Sequence, residues 1–283
     1  MEKDILSLLY KNSVENPGHL IMTENGQSIS VKCLWEYISA VANYLEGTVS
    51  DDEYFVIALP NSIHWVLAVL GAMLAGVPTI LLDWRIKDEW KEYLSGIKIG
   101  LALVTDDCTA ISANKNENNR IINELYFDRI IENEDNRYPL NIEKINQRYR
   151  LVLFTSGTTG CCKGVVHSFS GITKACDNYI RTTHISDTDT LCAAVPLCHS
   201  YGFGSCFMAG LCSGARLILI RQFKAAEVIR IIEEERVTVF HGVPIMYDVI
   251  NRYLRGKKYA LECLRLCISA GAPLSYSIYK DFF

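Results

Sequence analysis

Hydrophobic residues along the chain are grouped into short apolar runs that alternate with segments of helical periodicity. The run Tyr54–Leu59 predicts a strand, and Ser62–Gly76 predicts a helix that serine can cap at its start and glycine at its end. A second strand at Pro78–Leu82, a charged helix and a third strand at Gly100–Thr105 complete a β-α-β-α-β pattern. Because these strands are apolar throughout, we expect a mainly parallel sheet covered by helices on both faces.

The same alternation resumes in the second half of the chain. Strands are predicted at Thr190–Pro196 and Ala215–Ile220, and Lys224–Arg236 predicts an amphipathic helix. Two further strands, with a helix between them, follow along the sequence. These patterns predict the α/β class, with two packed αβα subdomains whose sheets are mainly parallel.

The predicted subdomains divide the chain unevenly. Residues 51–185 are assigned to the first subdomain, and residues 20–50 together with 186–283 are assigned to the second. The segment Ser112–Asn136 is polar and rich in asparagine around a short apolar piece, which predicts an excursion at the surface of the first subdomain. The strand Tyr149–Thr155 then resumes the pattern and leads into a glycine-rich loop.

Composition narrows the possible functions. The chain has 283 residues, is 49% hydrophobic and carries a net charge of −4, so it can bury substantial cores and offers no basic surface for nucleic acid. Its eleven cysteines include no CxxC pair and favour a reducing compartment; with no signal peptide, we predict a cytoplasmic protein. The apolar stretch Ile63–Leu82 is long enough for a membrane span, but AGVP interrupts it, which favours a buried helix and strand.

A metal site is an alternative role for some of the cysteines. Four of them lie near His199 in the sequence: Cys192, Cys198, Cys206 and Cys212. Their spacings do not match the common zinc patterns, and free cysteines are frequently buried as small apolar side chains. We therefore predict no metal ligands among them.

The segment Phe154–Gly164, FTSGTTGCCKG, is the most unusual stretch of the sequence. Its glycines let backbone N–H groups approach an anion, its hydroxyl side chains add donors, and Lys163 adds a positive charge. These features predict a phosphate-binding loop, with an ordinary surface turn as the alternative. The kinase and GTPase pattern GxxxxGK[ST] does not fit, because Cys162 replaces its second glycine and Gly164 replaces the hydroxyl residue that would hold Mg²⁺.

This loop resembles the signature of the adenylate-forming enzymes, [YF]TSG[ST]TGxPKGV, with Cys162 where proline is usual. The family includes acyl- and aryl-CoA synthetases, luciferases and the adenylation domains of peptide synthetases. Four more stretches are similar to family segments in the same order: Ile57–Asp83, Val195–Gly204, Val237–Tyr247 and Ser269–Ser275. The chain thus resembles the N-terminal part of an AMP-binding, acyl- or aryl-CoA synthetase-like enzyme.

The resemblance implies a role for each group of candidate residues. The loop would hold the ATP phosphates through Thr155, Ser156, Gly157, Thr158, Thr159, Gly160 and Lys163. A second turn would contact the nucleotide through Gly271, Ala272 and Pro273. His199 would be the catalytic residue, near the substrate carboxylate and the α-phosphate. The substrate pocket would be lined by Tyr201, Phe203, Gly204, Val243 and Pro244; ordinary packing is the alternative role for the two aromatic residues.

The implied reaction is the ATP-dependent activation of a carboxylic acid. The acid would attack the α-phosphorus of ATP, giving an acyl-adenylate and pyrophosphate, and CoA or the phosphopantetheine of a carrier protein would then accept the acyl group. Relatives that activate amino acids carry an aspartate near the position of His199, whereas Val195–Gly204 contains no acidic residue, which favours a fatty or aryl acid. An amino-acid-adenylating domain and a non-catalytic nucleotide-binding or interaction module remain the alternatives.

In the family, the chain continues beyond the segments found here. A β-barrel and a small C-terminal domain would follow residue 283, together with the main ligand of the Mg²⁺ that accompanies ATP. We therefore expect an incomplete N-terminal AMP-binding domain over residues 1–283, and little or no adenylation activity from this chain alone. A homodimer is a possible assembly, and no membrane span is expected.

Overall fold

The computed structural model describes residues 5–105, 120–132, 149–155, 162–256 and 261–282. The chain divides into two compact units. The first contains Met1–His19 and Ser30–Ala175, and the second contains Leu20–Ile29 and Cys176–Phe283. Each unit holds one mostly parallel sheet with helices, which confirms the α/β class predicted from the sequence.

The helices and strands of the described ranges follow in chain order. They are α1 (Ile5–Glu15), β1 (Leu20–Glu24), β2 (Gln27–Ser30), α2 (Val31–Glu46), β3 (Tyr54–Ala58), α3 (Ile63–Ala75), β4 (Thr79–Leu81), a 3₁₀ turn (Lys87–Glu89), α4 (Trp90–Tyr93), β5 (Ile99–Val104), β6 (Arg120–Asn123), α5 (Glu124–Glu132), β7 (Arg150–Thr155), β8 (Lys163–Ser168), α6 (Phe169–Thr183), β9 (Thr190–Ala193), a π-helical segment (Tyr201–Met208), α7 (Ala209–Ser213), β10 (Arg216–Leu219), α8 (Ala225–Glu234), β11 (Val239–Gly242), α9 (Pro244–Leu254), β12 (Leu266–Ser269) and α10 (Tyr276–Phe282).

The first unit is built on a six-stranded sheet in the order β6-β5-β3-β4-β7-β8. All neighbours are parallel except β8, which runs antiparallel to β7 at the edge. The helix α3 joins β3 to β4 as predicted, and the Ser62 Oγ caps it by accepting a hydrogen bond from the Trp65 amide at 3.1 Å. Gly76 ends the helix with a left-handed φ of 70°. The strands β4 and β5 are buried throughout, which explains their uninterrupted apolar sequences.

The helix α2 belongs to the first unit, whereas the sequence analysis assigned residues 31–50 to the second subdomain. The physical reason is a close contact between α2 and α3 at Gly71, where an added Cβ atom would lie 2.4 Å from Cγ1 of Val41. Without a side chain at this position, α2 can pack directly on the backbone of α3. The contact joins distant parts of the sequence, so the local alternation of strands and helices could not reveal it.

The expectation of a surface excursion over Ser112–Asn136 is wrong for the part that the structure describes. Arg120–Asn123 forms β6, which pairs in parallel with β5. The following helix α5 buries Phe127, Ile130 and Ile131 in the first unit. The polar sequence on either side concealed these few apolar positions, which are nevertheless enough to build a strand and a short amphipathic helix.

The second unit is built on a six-stranded sheet in the order β12-β11-β9-β10-β1-β2. Its strands from β12 to β1 are parallel neighbours. Asn25 and Gly26 form the two-residue turn between β1 and β2, with φ angles of 50° and 80°. Such a turn needs two left-handed residues, which an Asn-Gly pair adopts readily. On one face of the sheet, α8 and α9 bury Val228, Ile232 and Ile250 against Phe240 of β11.

No helix in the described parts of the chain is long and apolar enough to cross a membrane. The apolar stretch Ile63–Leu82 forms α3 and β4, with Gly76 between them. The 13 residues of α3 extend about 20 Å at the usual helical rise. That length is well short of the roughly 30 Å of a bilayer's hydrocarbon core.

Candidate active site

The glycine-rich loop connects the two strands of a β-hairpin. β7 ends at Thr155, β8 begins at Lys163, and these two residues are directly paired across the antiparallel ladder. The Thr155 Oγ1 donates a hydrogen bond to the Lys163 carbonyl at 3.4 Å, and the Cys162 thiol donates one to the Thr155 carbonyl at 2.9 Å. Five predicted phosphate-contacting residues lie outside the described residues: Ser156, Gly157, Thr158, Thr159 and Gly160.

The hairpin distinguishes this loop from a kinase-type phosphate loop. In the kinase type, a helix follows the glycines and directs its N-terminal N–H groups and its dipole at the phosphate. Here β8 follows the loop, and the next helix, α6, begins only at Phe169. An anion at this turn would therefore depend on the loop's own N–H groups and hydroxyls and on Lys163, which is exposed.

A second group of candidates lies at the carboxyl ends of parallel strands in the second unit. His199 and Tyr201 follow β9, Val243 and Pro244 follow β11, and Gly271 follows β12. In this sheet, β10 lies on one side of β9 and β11 lies on the other. The connection that leaves β9 runs towards β10, and the connection that leaves β11 runs the opposite way towards β12. The direction of the connections therefore reverses between β9 and β11. Ligands of open α/β sheets bind at such a switch point, outside the carboxyl ends of the strands.

A tight turn presents His199 at the start of the π-helical segment Tyr201–Met208. The His199 amide donates to the Pro196 carbonyl at 3.3 Å, and its own carbonyl accepts from the Phe203 amide at 2.8 Å. A Cβ atom added at Gly202 would lie 2.2 Å from the Pro196 carbonyl oxygen, so only glycine fits there. The His199 side chain is exposed, and π-helical turns of this kind are frequent at functional sites.

Tyr201 connects the π-helical segment to the carboxyl ends of β11 and β12 through hydrogen bonds. Its hydroxyl donates to the carbonyl of Ile268 at 2.9 Å and to that of Gly242 at 3.4 Å. Tyr247 of α9 also donates to the Ile268 carbonyl, at 2.9 Å. Burial raises the pKa of both tyrosines, so both hydroxyls stay protonated and act as donors. The polar group of Tyr201 is thus already used by the protein's own backbone.

The other pocket candidates differ in how accessible they are. Phe203 is 3% exposed and packs on Phe207, with ring centroids 5.7 Å apart. Gly204 borders open space, because an added Cβ atom would have no neighbour within 4 Å among the atoms that the structure describes. Pro244 is buried as the first residue of α9, and Val243 just before it is half-buried.

The predicted nucleotide turn meets the predicted acid-pocket wall. Gly271 has a left-handed φ of 86°, and a Cβ atom added there would lie 3.4 Å from Cγ1 of Val243. The Ala270 amide donates to the Gly242 carbonyl at 3.3 Å, which holds the two segments side by side. Ala272 and Pro273 are exposed at the same turn. The structure therefore brings together two of the segments that the sequence analysis assigned to one site.

A family profile described as "AMP-binding enzyme" matches residues 9–283, nearly the whole chain. The chain belongs to the AMP-binding enzyme family. It is 25% identical over 300 residues to 4-coumarate–CoA ligase-like 6 of Arabidopsis thaliana, covering 99% of this chain and 53% of that protein. It is 33% identical over 124 residues to feruloyl-CoA synthase of an Amycolatopsis species, covering 44% of this chain and 25% of that protein. The chain thus spans about half the length, or less, of these curated relatives.

Solved structures share the fold of this AMP-binding family member. The N-terminal domain of FACL13 from Mycobacterium tuberculosis superposes with a TM-score of 0.86 at 20% identity, covering 100% of this chain and 73% of that one. ATP-bound MatB from Rhodopseudomonas palustris gives the same TM-score at 19% identity, covering 100% of this chain and 57% of that one. The arrangement of strands and helices is therefore that of the N-terminal part of adenylate-forming enzymes.

The residues of the hairpin fit a phosphate group better than a metal ion. Thr155 and Lys163 supply a hydroxyl and an ammonium group at the point where the loop begins and ends. The sequence from Arg150 to Ser168 contains no aspartate or glutamate, the usual ligands of Mg²⁺. In this AMP-binding family member, a Mg²⁺ ion accompanying ATP would need protein ligands from outside the hairpin.

His241 lies beside the candidate site and was not among the site residues predicted from the sequence. It is fully buried one residue before the end of β11, with its Nε2 atom 3.0 Å from the Tyr179 hydroxyl. Its Nδ1 atom is buried without a hydrogen-bond partner among the described residues. Burial lowers the pKa of His241 to about 4, so the imidazole is neutral at pH 7. A histidine within an otherwise apolar strand was the available signal.

Proposed function

We propose that the protein carrying this chain is an AMP-forming acid–thiol ligase, in which the chain binds the ATP phosphates and the acid. The observation that supports this most strongly is the family match over residues 9–283, combined with a hairpin that pairs Thr155 with Lys163. In this proposal, a carboxylate oxygen attacks the α-phosphorus of ATP and pyrophosphate leaves, giving an acyl-adenylate. The thiol of CoA then gives up its proton, attacks the acyl carbonyl and displaces AMP.

The proposed roles of the residues follow from the charges in this reaction. Two anions must meet, so positioning and charge neutralisation supply most of the rate enhancement. Lys163 and the loop from Thr155 onward would hold the β- and γ-phosphates as the leaving group. His199 would contact the acid's carboxylate and the α-phosphate, and Gly271 would let the adenine approach the backbone. Mg²⁺ would neutralise phosphate charge, held mainly by ligands outside these segments.

We further propose an aryl acid as the substrate and CoA as the acceptor. The curated relatives include a 4-coumarate–CoA ligase-like protein and a feruloyl-CoA synthase, whose names specify aryl acids and CoA. The segment Val195–Gly204 contains no acidic residue to pair with an α-ammonium group. Both observations favour an acid without an amino group over an amino acid.

The experiment is acid-dependent exchange of labelled pyrophosphate into ATP by the full-length protein that the gene encodes. Cinnamic, benzoic, fatty and amino acids are compared, and the CoA thioester is assayed directly. We expect exchange with aryl acids and formation of AMP. ATP binding without exchange for any of these acids would instead favour a non-catalytic nucleotide-binding module.

The substitution Lys163→Ala tests whether Lys163 binds the ATP phosphates. Removing one charged contact to phosphate should lower kcat/KM for ATP by about tenfold to a hundredfold. The matched control is Lys98→Ala, because Lys98 is an exposed lysine of the first unit that pairs with Asp52 at the surface. Equal kinetics for the two variants would contradict the role given to Lys163.

A further inference from the structure

A short helical segment is anchored in the core beside β7. The charged helix predicted between the second and third strands is present as a 3₁₀ turn, Lys87–Glu89, and a single helical turn, Trp90–Tyr93. The Trp90 indole N–H donates to the Asp83 carbonyl at 3.0 Å, and the Trp90 ring is buried. Trp90 belongs to the same hydrophobic cluster as Val152 of β7. This anchoring fixes the position of the next ring, that of the half-buried Tyr93.

Tyr93 stacks on the residue that precedes the end of β7. Its ring centroid lies 4.7 Å from that of Phe154, with only 20° between the ring planes. Offset-stacked aromatic pairs contribute stabilisation beyond the burial of their surface. Phe154 is followed directly by Thr155, at which β7 ends and the phosphate loop begins.

Gly164 leaves the space that the Phe154 ring occupies. The two residues are paired directly across the hairpin. A Cβ atom added at Gly164 would lie 3.0 Å from Cγ1 of Val152 and 3.3 Å from Cε1 of Phe154. These distances are tighter than ordinary contacts, so a side chain at Gly164 would displace the ring. Packing against Phe154 thus explains why glycine occupies position 164, where the kinase-type loop has a hydroxyl residue.

A hydrogen bond at the hydroxyl of Tyr93 helps to hold its ring in place. The hydroxyl donates a hydrogen bond to the Glu89 carboxylate within its own helical segment. This bond and burial raise the pKa of Tyr93, so its hydroxyl stays protonated and acts as a donor. Phe154 is paired with Gly164, the neighbour of Lys163, which begins β8. The Tyr93 ring therefore contacts the Phe154 ring of the first arm, and the Phe154 ring in turn packs against Gly164 of the second arm.

We infer that Tyr93 is a positioning residue: its stack on Phe154, whose ring packs against Gly164 of the facing strand, fixes the two arms that carry Thr155 and Lys163. The kinetic consequence of this inference rests on the proposed function, because the positions of the two arms affect the kinetics only if the loop binds phosphate. Loss of the ring would leave both arms free to spread. The lysine and the hydroxyl would then meet the phosphates less often in the right geometry.

The first test measures the hairpin itself, without any substrate. Hydrogen exchange is followed by mass spectrometry in the full-length protein, comparing wild type, Tyr93→Leu and Tyr93→Phe. The matched control is Tyr10→Leu, which removes another aromatic contact of the first unit, the tilted pair of Tyr10 and Trp35 with ring centroids 5.2 Å apart. We expect Tyr93→Leu to accelerate exchange in β8 by about tenfold, with Tyr93→Phe closer to wild type because it keeps the stack.

The second test measures kinetics with the same four proteins. Tyr93→Leu should raise KM for ATP about fivefold to tenfold while KM for the acid stays unchanged, and Tyr93→Phe should restore most of the loss. The control Tyr10→Leu should lower stability without changing either KM. A merely structural role for Tyr93 would change both Michaelis constants together or neither.

The outcomes separate the inference from the proposed function. Unchanged exchange in β8 of Tyr93→Leu, or the same acceleration in Tyr10→Leu, overturns the inference. Selective acceleration in β8 supports it even if wild type shows no acid-dependent exchange of pyrophosphate, a result that would overturn the proposed function alone. Selective acceleration with an unchanged KM for ATP would show that the arms do not serve phosphate binding, and would overturn the positioning role.

Discussion

At the scale of single residues, two partly or fully buried histidines respond to their surroundings in opposite directions. His241 is enclosed by the second unit with one hydrogen bond, to Tyr179, and burial lowers its pKa to about 4. Burial also acts to lower the pKa of His64, but hydrogen bonds with Glu124 and Asp128 outweigh it and the pKa is raised. The two side chains therefore predict opposite dependences of stability on pH.

For His241, the unfolded chain binds the proton more readily than the folded chain. Its contribution to stability is complete above the unfolded pKa near 6.5 and decreases as pH falls towards 4. Between pH 6.5 and 5, this one group should remove about 2 kcal/mol of unfolding free energy. The variant His241→Gln should flatten that decline, measured by urea unfolding at pH 7 and pH 5. An identical decline in variant and wild type would contradict the prediction.

For His64, the folded chain binds the proton more readily. The Nε2 atom lies 2.6 Å from Asp128 and the Nδ1 atom 3.5 Å from Glu124, which links α3 to α5. The stabilisation is present below the unfolded pKa and is lost as pH rises through the raised folded pKa. His64→Gln should therefore be destabilising at pH 5.5 and much less so at pH 9, measured by thermal unfolding. The variant Asp128→Asn should show the same pattern; equal losses at both pH values would count against this account.

At the scale of elements, one ion pair connects three strands of the second unit. Arg265, just before β12, donates from Nε and Nη2 to both carboxylate oxygens of Asp189, at 2.7 and 2.5 Å. Asp189 precedes β9, and its Oδ1 atom also accepts from Thr238, just before β11, at 2.7 Å. The Asp189 side chain is 3% exposed, whereas that of Arg265 is 40% exposed. This cluster holds the amino ends of the strands whose carboxyl ends carry the candidate site.

Removing the arginine should leave a buried carboxylate without its charged partner. We expect Arg265→Leu to lower the unfolding free energy by about 2–3 kcal/mol, less than for a fully buried pair because the guanidinium is partly solvated. Urea unfolding measures the loss. The control is Arg230→Leu in α8, whose ion pair with Glu234 is exposed on both sides and should matter little. Similar losses for the two variants would contradict this role for Asp189.

The elements that could be predicted are those whose signals lie within a few residues of each other in the sequence. β3, α3 and β4 follow from an apolar run, a serine cap and a terminal glycine, and all three are present. The turn at Asn25 and Gly26 carried a local signal that the sequence analysis did not use. The charged segment around Trp90 could not be predicted well, because burial of this indole against a distant strand, rather than helix propensity, limits it to one turn.

At the scale of the whole molecule, the sequence predicted two α/β sheets and the family, but not the division of the chain. The family was recognisable because Thr155 and Lys163 belong to a loop with many specified positions. The assignment of α2 failed because α2 packs on α3 where Gly71 has no side chain. Such a contact leaves no periodic pattern in the sequence. For the candidate site, the residue types at strand ends were predictable, whereas the use of the Tyr201 hydroxyl by Ile268 was not.

The pairing of β1 with β10 has a consequence for how the protein is made. Met22 lies opposite Leu217 in this parallel ladder, so the ribosome adds roughly two hundred residues before the first strand of the second sheet can find its neighbour. At typical rates of synthesis, the hairpin of β1 and β2 waits on the order of ten to forty seconds as an unpaired edge. Most of the first unit emerges during that interval. A chaperone that shields nascent strands would therefore act on Leu20–Ser30, and slower translation would lengthen the period in which this segment can aggregate.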